Sequence, residues 1–493
     1  QGQHTSCLID RLPPRPGLED PPLVEMHPVT IRDDHRVPVV VWNRTKRSST
    51  IPAHSPLAEF DVESEVMVNG RANTATATYD SLTVEQKALI DSIKVDPNAV
   101  LSEEQKVRVR DMLARRIGAF AIDPKSPNHT HLMEVTLPLK PDAVPHRHPP
   151  SRVGEAGREI IEKHVAEMEA KGIIRKSNSE WSSRIVLVKK KPGLDGTPSE
   201  ARFCIDFRDL NSKLKYLDSP IPLTVEAIDK LSSGQGRPDS LFLSTLDLAS
   251  GFWCLPIRES DRELTAFSTG RQKYEFNYLP FGVQSGPSYM CRLMDAVLQG
   301  LAWETCIPYL DDVGVWSTGS APSSLPPEEA LRIARDNSFE QMMQRMDMVF
   351  ERLIWAQLSC KASKCVLFAT ETEYLGHVIG RDGLKMDPKK ISAVSKIDGK
   401  SIDTLERVRS FLGLCSYYRR FIPKFSQIAA PLTDLTKKGV DVLNLSQTDK
   451  CQDAIEKLKL AITSEPVLAT PRFDRQFVVK TDGAQTEGIG GVL

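Results

Sequence analysis

The feature that most constrains this chain is a pair of adjacent acids, Asp311 and Asp312, set between two apolar runs, Cys306-Ile-Pro-Tyr-Leu310 and Val313-Gly-Val-Trp316. Runs of this kind predict two strands meeting at a turn. A hairpin tip ordinarily carries Asn-Gly or Asp-Gly. Two like charges placed side by side repel unless a cation neutralises them. Taken alone, an Asp-Asp turn is also what a solvated loop presents. A further acid narrows the choice, because Leu243-Ser-Thr-Leu-Asp247 reads as an apolar strand ending on a carboxylate. Hard divalent cations prefer such oxygens, and two of them held together stabilise the attacking and leaving oxygens of an in-line displacement at phosphorus. The chemistry indicated is phosphoryl transfer.

The chain has 493 residues, too many for one ordinary core, and two to four domains are expected. With 40% apolar and 26% charged residues it is mostly globular. A formal net charge of −1 argues against a uniformly basic nucleic-acid binder. Charge is uneven, however: residues 171–215 hold 11 Lys/Arg against 5 Asp/Glu. Cys360 and Cys365 form the one close cysteine pair, with no second Cys/His pair at zinc spacing nearby. Free thiols in a reducing compartment are therefore expected. No run of 18 apolar residues occurs, so no membrane span is expected. The first residue is Gln and the last, Leu493, lies inside an apolar pattern, so both ends are expected to be cut from something longer.

Along the chain, residues 1–75 mix Pro, Thr, Arg and Asp with short β-like runs and lack Asp-Thr-Gly or Asp-Ser-Gly, so no intact aspartic protease is expected there. Residues 83–120 read as two helices opened by Thr83 and Ser102, the latter with a capping-box pattern. The Pro-rich passage 137–150 reads as an extended linker. Residues 152–171 read as a helix with Ile161, Val165 and Met168 on one face and Gly172 as its stop. Ile185–Val188 and Arg202–Asp206 read as the two strands of a hairpin. Residues 318–330 read as loop, 331–358 as a long helix and 401–437 as mostly helical. Phe477–Asp482 is a late strand whose partner starts at Gly488.

Read in order, a set of segments resembles the blocks of a gypsy-type reverse transcriptase from an LTR retrotransposon Pol polyprotein. Gly172-Ile-Ile-Arg-Lys-Ser177, Trp181-Ser-Ser183 and Ile185-Val-Leu-Val-Lys-Lys-Lys191 come first, then Arg202-Phe-Cys-Ile-Asp-Phe-Arg-Asp-Leu-Asn211. Thr245-Leu-Asp-Leu-Ala-Ser-Gly-Phe252, Leu279-Pro-Phe-Gly282 with Gly286-Pro287, and Tyr309-Leu-Asp-Asp312 follow. Tyr374-Leu-Gly-His377 resembles a primer grip, and Phe411-Leu-Gly-Leu-Cys-Ser-Tyr-Tyr-Arg-Arg-Phe-Ile422 a thumb block. Pro466-Val-Leu468 and Thr481-Asp-Gly483 resemble the start of a ribonuclease H domain. One tetrad is a weak signal; many blocks in one order over residues 80–493 are specific.

The resemblance implies an α+β fold, a right-hand polymerase of fingers, palm and thumb with an antiparallel palm sheet, plus the truncated start of a ribonuclease H-like domain. The boundaries it suggests are a tail of a preceding protease-like region at 1–75, a helical and extended linker at 76–150, and fingers and palm at 151–385. Thumb at 386–440, connection at 441–476 and the ribonuclease H-like start at 477–493 complete it. It implies an RNA-directed DNA polymerase that extends a primer with dNTPs; the alternative is a catalytically decayed or host-adopted nucleic-acid-binding protein. Asp247, Asp311 and Asp312 would be catalytic and bind two Mg²⁺, with Mn²⁺ as a substitute and the Leu248 carbonyl as a further ligand. Lys190, Arg202, Phe252, Phe281 and Gln284 would bind the incoming dNTP, with Phe252 against the sugar where a 2′-OH would clash. Tyr374, Leu375 and Gly376 would form the primer grip. Tyr417, Tyr418, Arg419 and Arg420 would touch the duplex backbone, Tyr417 being equally readable as thumb core.

Partners implied are an RNA or DNA template, a DNA or tRNA primer, dNTPs and other polyprotein products, without a membrane. The setting implied is cytoplasmic, in a virus-like particle, with nuclear access. The chain departs from the pattern at Arg184 (usually Pro), at Cys254 (usually a polar amide), in extra residues Leu194–Ala201 and in an insertion at about 319–337. Only Asp482 of the ribonuclease H carboxylates is present, so no ribonuclease H activity is expected.

Overall fold

The computed structural model describes residues 77–124, 128–188, 201–217, 219–232, 242–249, 251–322, 324–380, 383–464 and 468, with the strand backbones at Ser6–Arg11, Leu23–Val24, Val29–Thr30, Val41–Trp42, Ala58–Asp61, Lys480–Ala484 and Gly488–Val492. The chain divides into two compact units, residues 1–74 and 75–493. In the first, Ser6–Arg11 pairs with both Val29–Thr30 and Ala58–Asp61, and Leu23–Val24 with Val41–Trp42, all antiparallel.

The second unit is organised around a five-stranded sheet. Its order is Cys306–Tyr309, Asp312–Ser317, Phe242–Asp247, Val366–Ala369 and Lys94–Val95. The apolar strands predicted around the three acids are its centre, and the register sets Asp247 opposite Asp312. Four strands are antiparallel, while the edge strand Lys94–Val95 runs parallel to Val366–Ala369. Gly286–Val297 and the long helix Pro327–Trp355 cover the sheet with Met290, Leu293, Met342, Met346 and Phe350, all buried. That long helix begins at Pro327, so most of the expected insertion is helical rather than loop.

The helices Val84–Asp91 and Glu103–Arg115 form where their caps direct. The Ser102 hydroxyl accepts from the Gln105 amide at 3.2 Å, and the Gln105 side chain accepts from the Ser102 amide at 3.0 Å. They do not belong to a linker. Arg108 makes a two-pronged ion pair with Glu340, and Arg116 another with Asp347, both on the long helix. The Pro-rich passage is also laid down on the body, through bridges Val135–Ile257, Leu139–Leu214 and Arg147–Ser182.

The expected fingers hairpin is present, Arg184–Val188 pairing with Arg202–Asp206. A three-stranded sheet, Glu371–Tyr374, His377–Gly380 and Gly383–Met386, follows the palm. A second core then gathers the helices Pro388–Ser395, Leu405–Tyr417, Phe425–Asp434 and Asp449–Thr463 around Val408, Leu432, Ile455 and Leu458. The helix Asp449–Thr463 shares this core, so no separate core begins at 441. Lys480–Ala484 and Gly488–Val492 pair antiparallel, as the sequence indicates. Among the described residues, no helix is long and apolar enough to cross a membrane.

Candidate active site

Three backbone contacts fix the acids. Tyr309 pairs with Asp312, so Leu310 and Asp311 make the turn, and Leu310 takes a left-handed φ of 56°. The Leu248 amide donates to the Asp311 carbonyl at 2.9 Å, and the Lys361 amide donates to the Asp247 carbonyl at 2.8 Å. The site is close-packed at Gly251, where an added Cβ would lie 3.0 Å from Asp311 Cβ. A side chain there would collide with the carboxylate turn.

Proximity shows in the acidities. Loss of hydration, reinforced by the charges of Asp311 and Asp247, pushes the Asp312 carboxyl up to about 6. Asp311 stands at the exposed tip, yet its carboxyl is also raised, first by partial loss of hydration and then by Asp247. A cluster that resists ionisation in this way is suited to a cation, which removes the repulsion. One cation is already close: Lys364 Nζ lies 2.8 Å from Asp247 Oδ2. Sequence reasoning missed Lys364. Its only signal was its place between Cys360 and Cys365, a pair weighed there for zinc. Both thiols are free and buried, and the loop between them delivers Lys361 and Lys364 to Asp247.

Among the described residues, no group of three or more His, Cys, Asp or Glu is gathered to hold a metal ion. The donor set fits Mg²⁺ in its other habit, one or two carboxylates completed by water and substrate phosphates. Asp247, Asp311 and Asp312 are the carboxylates that could serve this way, and Leu248 follows Asp247 at the strand end with its side chain buried.

The residues assigned to the nucleotide are partly assembled. Phe252 and Phe281 meet edge to face with centroids 5.1 Å apart. Phe252 is held by the body of the protein, whereas Phe281 is exposed. Gly286 passes so close to Phe252 that an added Cβ would sit 3.3 Å from its ring. Asn211 ties the strip together: its side-chain oxygen accepts from the Gln284 amide at 2.9 Å and its nitrogen donates to the Gly282 carbonyl at 2.8 Å. Arg202 is exposed on its strand opposite Val188. Lys190 lies outside the described residues.

The expected primer grip needs one correction. Leu375 and Gly376 form the tip of a hairpin, but Tyr374 is buried and its hydroxyl donates to the Ile307 carbonyl at 3.1 Å. Tyr374 anchors the turn to the palm sheet and does not present its ring at the surface. Tyr418 is likewise buried, and Arg420 is ion-paired to Asp229 at 3.1 Å.

Comparison with known proteins follows the same lines. Residues 188–379 match the family described as reverse transcriptase (RNA-dependent DNA polymerase), and residues 448–493 match an RNase H-like domain found in reverse transcriptase. The chain is 34% identical over 335 residues to the retrovirus-related Pol polyprotein from transposon 297 of Drosophila melanogaster, covering 68% of this chain and 28% of that protein. To the corresponding polyprotein from transposon gypsy of the same organism it is 32% identical over 406 residues, covering 80% and 36%. The chain thus spans roughly a third of these relatives. Among solved structures it is similar to the foamy viral protease-reverse transcriptase in complex with RNA/DNA hybrid, at TM-score 0.62 and 20% identity over 80% of this chain and 48% of that one. Against the same viral protein in complex with double-stranded DNA the TM-score is 0.62, at 20% identity over 83% and 77%. These structural likenesses bear out the expected fold class, α+β with a right-hand arrangement.

Proposed function

The chain belongs to the gypsy-type retrotransposon Pol family through its reverse transcriptase region, and on that premise we propose that it is an RNA-directed DNA polymerase extending a primer with dNTPs along an RNA or DNA template. The observation that carries the reading is the strand register that sets Asp247 against Asp312, with Asp311 beside them in the turn between two palm strands. Two Mg²⁺, or Mn²⁺ in their place, would be held by Asp247, Asp311, Asp312 and the Leu248 carbonyl. When bound, they supply charge stabilisation to the transferring phosphoryl group.

The chain's own residues do the rest. The Leu248 and Lys361 amides tie down the main-chain carbonyls of Asp311 and Asp247, so the backbone that carries these two carboxylates is set in advance. Phe252, braced by Phe281, closes the space beside the sugar and would select deoxyribonucleotides. Arg202 and Lys190 would bind the triphosphate. Leu375 and Gly376 would support the primer end. A DNA or tRNA primer, other products of the polyprotein, and a cytoplasmic virus-like particle with nuclear access are the setting that fits this activity.

The test is extension of a DNA primer on an RNA template with Mg²⁺ and dNTPs, comparing the protein with its Asp311→Asn variant. Extension by the first and not the second is expected. Absence of extension in both, with soluble and template-binding protein, would replace this reading with nucleic-acid binding alone.

A further inference from the structure

The grip turn is built in an unusual way. Because Tyr374 pairs with His377, only Leu375 and Gly376 form it, and both take left-handed φ, 46° and 69°. Gly376 adopts this freely, whereas Leu375 does so at a cost. The carbonyls of such a tip ordinarily face water. Here both accept from tyrosine: Tyr417 Oη donates to the Leu375 carbonyl at 2.5 Å, and Tyr418 Oη donates to the Gly376 carbonyl at 2.7 Å.

His377 fills the space between. Its ring centroid lies 5.2 Å from Tyr417, 5.3 Å from Tyr418 and 5.9 Å from Phe421. Its Nδ1 is 3.0 Å from the Leu375 carbonyl, which can only accept, so the network assigns the proton to Nδ1. Burial lowers the pKa of this histidine, which keeps the ring neutral at pH 7. The two tyrosines differ in setting: Tyr418 is 1% exposed and Tyr417 47%.

Both tyrosines come from the end of the helix Leu405–Tyr417, and the following turn carries Arg420 to Asp229 on the helix Thr224–Ser232. The thumb segment therefore meets the palm through an ion pair and meets the grip through two hydroxyls. The sequence offers both tyrosines as duplex contacts, and Tyr417 equally as thumb core. The geometry gives them another task.

We propose that Tyr417 and Tyr418 are positioning residues for the primer 3′ end, which they set by holding the two carbonyls of the Leu375–Gly376 turn from the thumb. The inference rests on the polymerase reading above. Seating of the thumb on a duplex is passed to the grip by these two bonds, and a grip released from them places the primer end less accurately. Misplacement of reacting groups by about 1 Å costs on the order of 100-fold in rate, so partial release costs less.

The test uses Tyr417→Phe and Tyr418→Phe, which keep the rings and remove one hydroxyl each. Single-nucleotide incorporation on a primer-template is measured with the active fraction taken from burst amplitude, alongside the Kd for primer-template. Tyr418→Phe is expected to lower the burst rate constant about ten-fold and Tyr417→Phe about three-fold, with primer-template Kd held within about two-fold. A purely structural role would reduce burst amplitude and leave the burst rate constant unchanged, which overturns the proposal. Weaker primer-template binding at an unchanged burst rate constant would also overturn it, by making the tyrosines direct duplex contacts. Failure of the unaltered protein to extend any primer would sink the polymerase reading and this inference with it.

Discussion

Two hairpins of this molecule are near copies in local sequence and opposite in use. Tyr309-Leu-Asp-Asp312 and Tyr374-Leu-Gly-His377 each turn in two residues, and each puts its leucine at left-handed φ, 56° and 46°. In the first, main-chain contacts from Leu248 hold the turn and the side chains are presented, two carboxylates with raised pKa. In the second, the side chain of Tyr374 is buried and the main chain is what the neighbours grasp, through Tyr417 and Tyr418. A strained turn can therefore serve to offer charge or to offer backbone. The difference lies in which part the surrounding protein has already bound.

Substitutions at the acid turn should separate the two most sharply. Asp311→Asn or Asp312→Asn is expected to reduce extension at least about 10³-fold, roughly 4 kcal/mol of transition-state stabilisation. The same Asp312→Asn change should stabilise the metal-free protein at pH 7.5 by roughly 1–2 kcal/mol, since it removes a carboxylate that burial and like charges hold up to about 6. Thermal melting in chelator would detect this, and a lower midpoint than the unaltered protein's would contradict it. At the grip turn, Gly376→Ala should cost stability of about 1 kcal/mol and lower extension about ten-fold, because the new Cβ would face Tyr417 Oη at 3.2 Å with φ at 69°.

A pH series sharpens the comparison further. With its folded value raised above the ordinary one, Asp312 keeps a proton in the folded state that the unfolded chain releases. Without metal, its contribution is most favourable below the usual carboxylate range and is lost as pH rises to about 6. Cation binding competes with that proton, so Mn²⁺ affinity measured by titration should weaken as pH falls through about 6. An affinity flat from pH 5 to 8 would be inconsistent with this picture. The smallest effect is expected at Lys364. Removing its partly exposed pair with Asp247 by Lys364→Met should change metal-free stability by less than about 1 kcal/mol.

Much of the acid hairpin was legible in the sequence because strands reveal themselves locally. Apolar runs ending on Asp247 and flanking Asp311-Asp312 needed no knowledge of distant contacts, and the cap at Ser102 was read in the same way. What could not be read was pairing across long stretches of chain. Lys364 reaches Asp247 over 117 positions, and Tyr417 reaches Leu375 over 42. No periodicity encodes such contacts. Tyr374 was misassigned for a related reason: a motif gives the order of residues along a turn, whereas alternation about the strand decides that the tyrosine faces inward.

The edge strand Lys94–Val95 bears on where the chain can tolerate a cut. Its amides at Lys94 and Asp96 donate to the Cys365 and Leu367 carbonyls, and the helix after it is riveted to Glu340 and Asp347. A proteolytic cut before residue 77 leaves that seal in place. One made between Asp96 and Arg108 would separate the strand from both rivets and open a sheet border that attracts other chains. That stretch is therefore where limited proteolysis would do the sheet most harm.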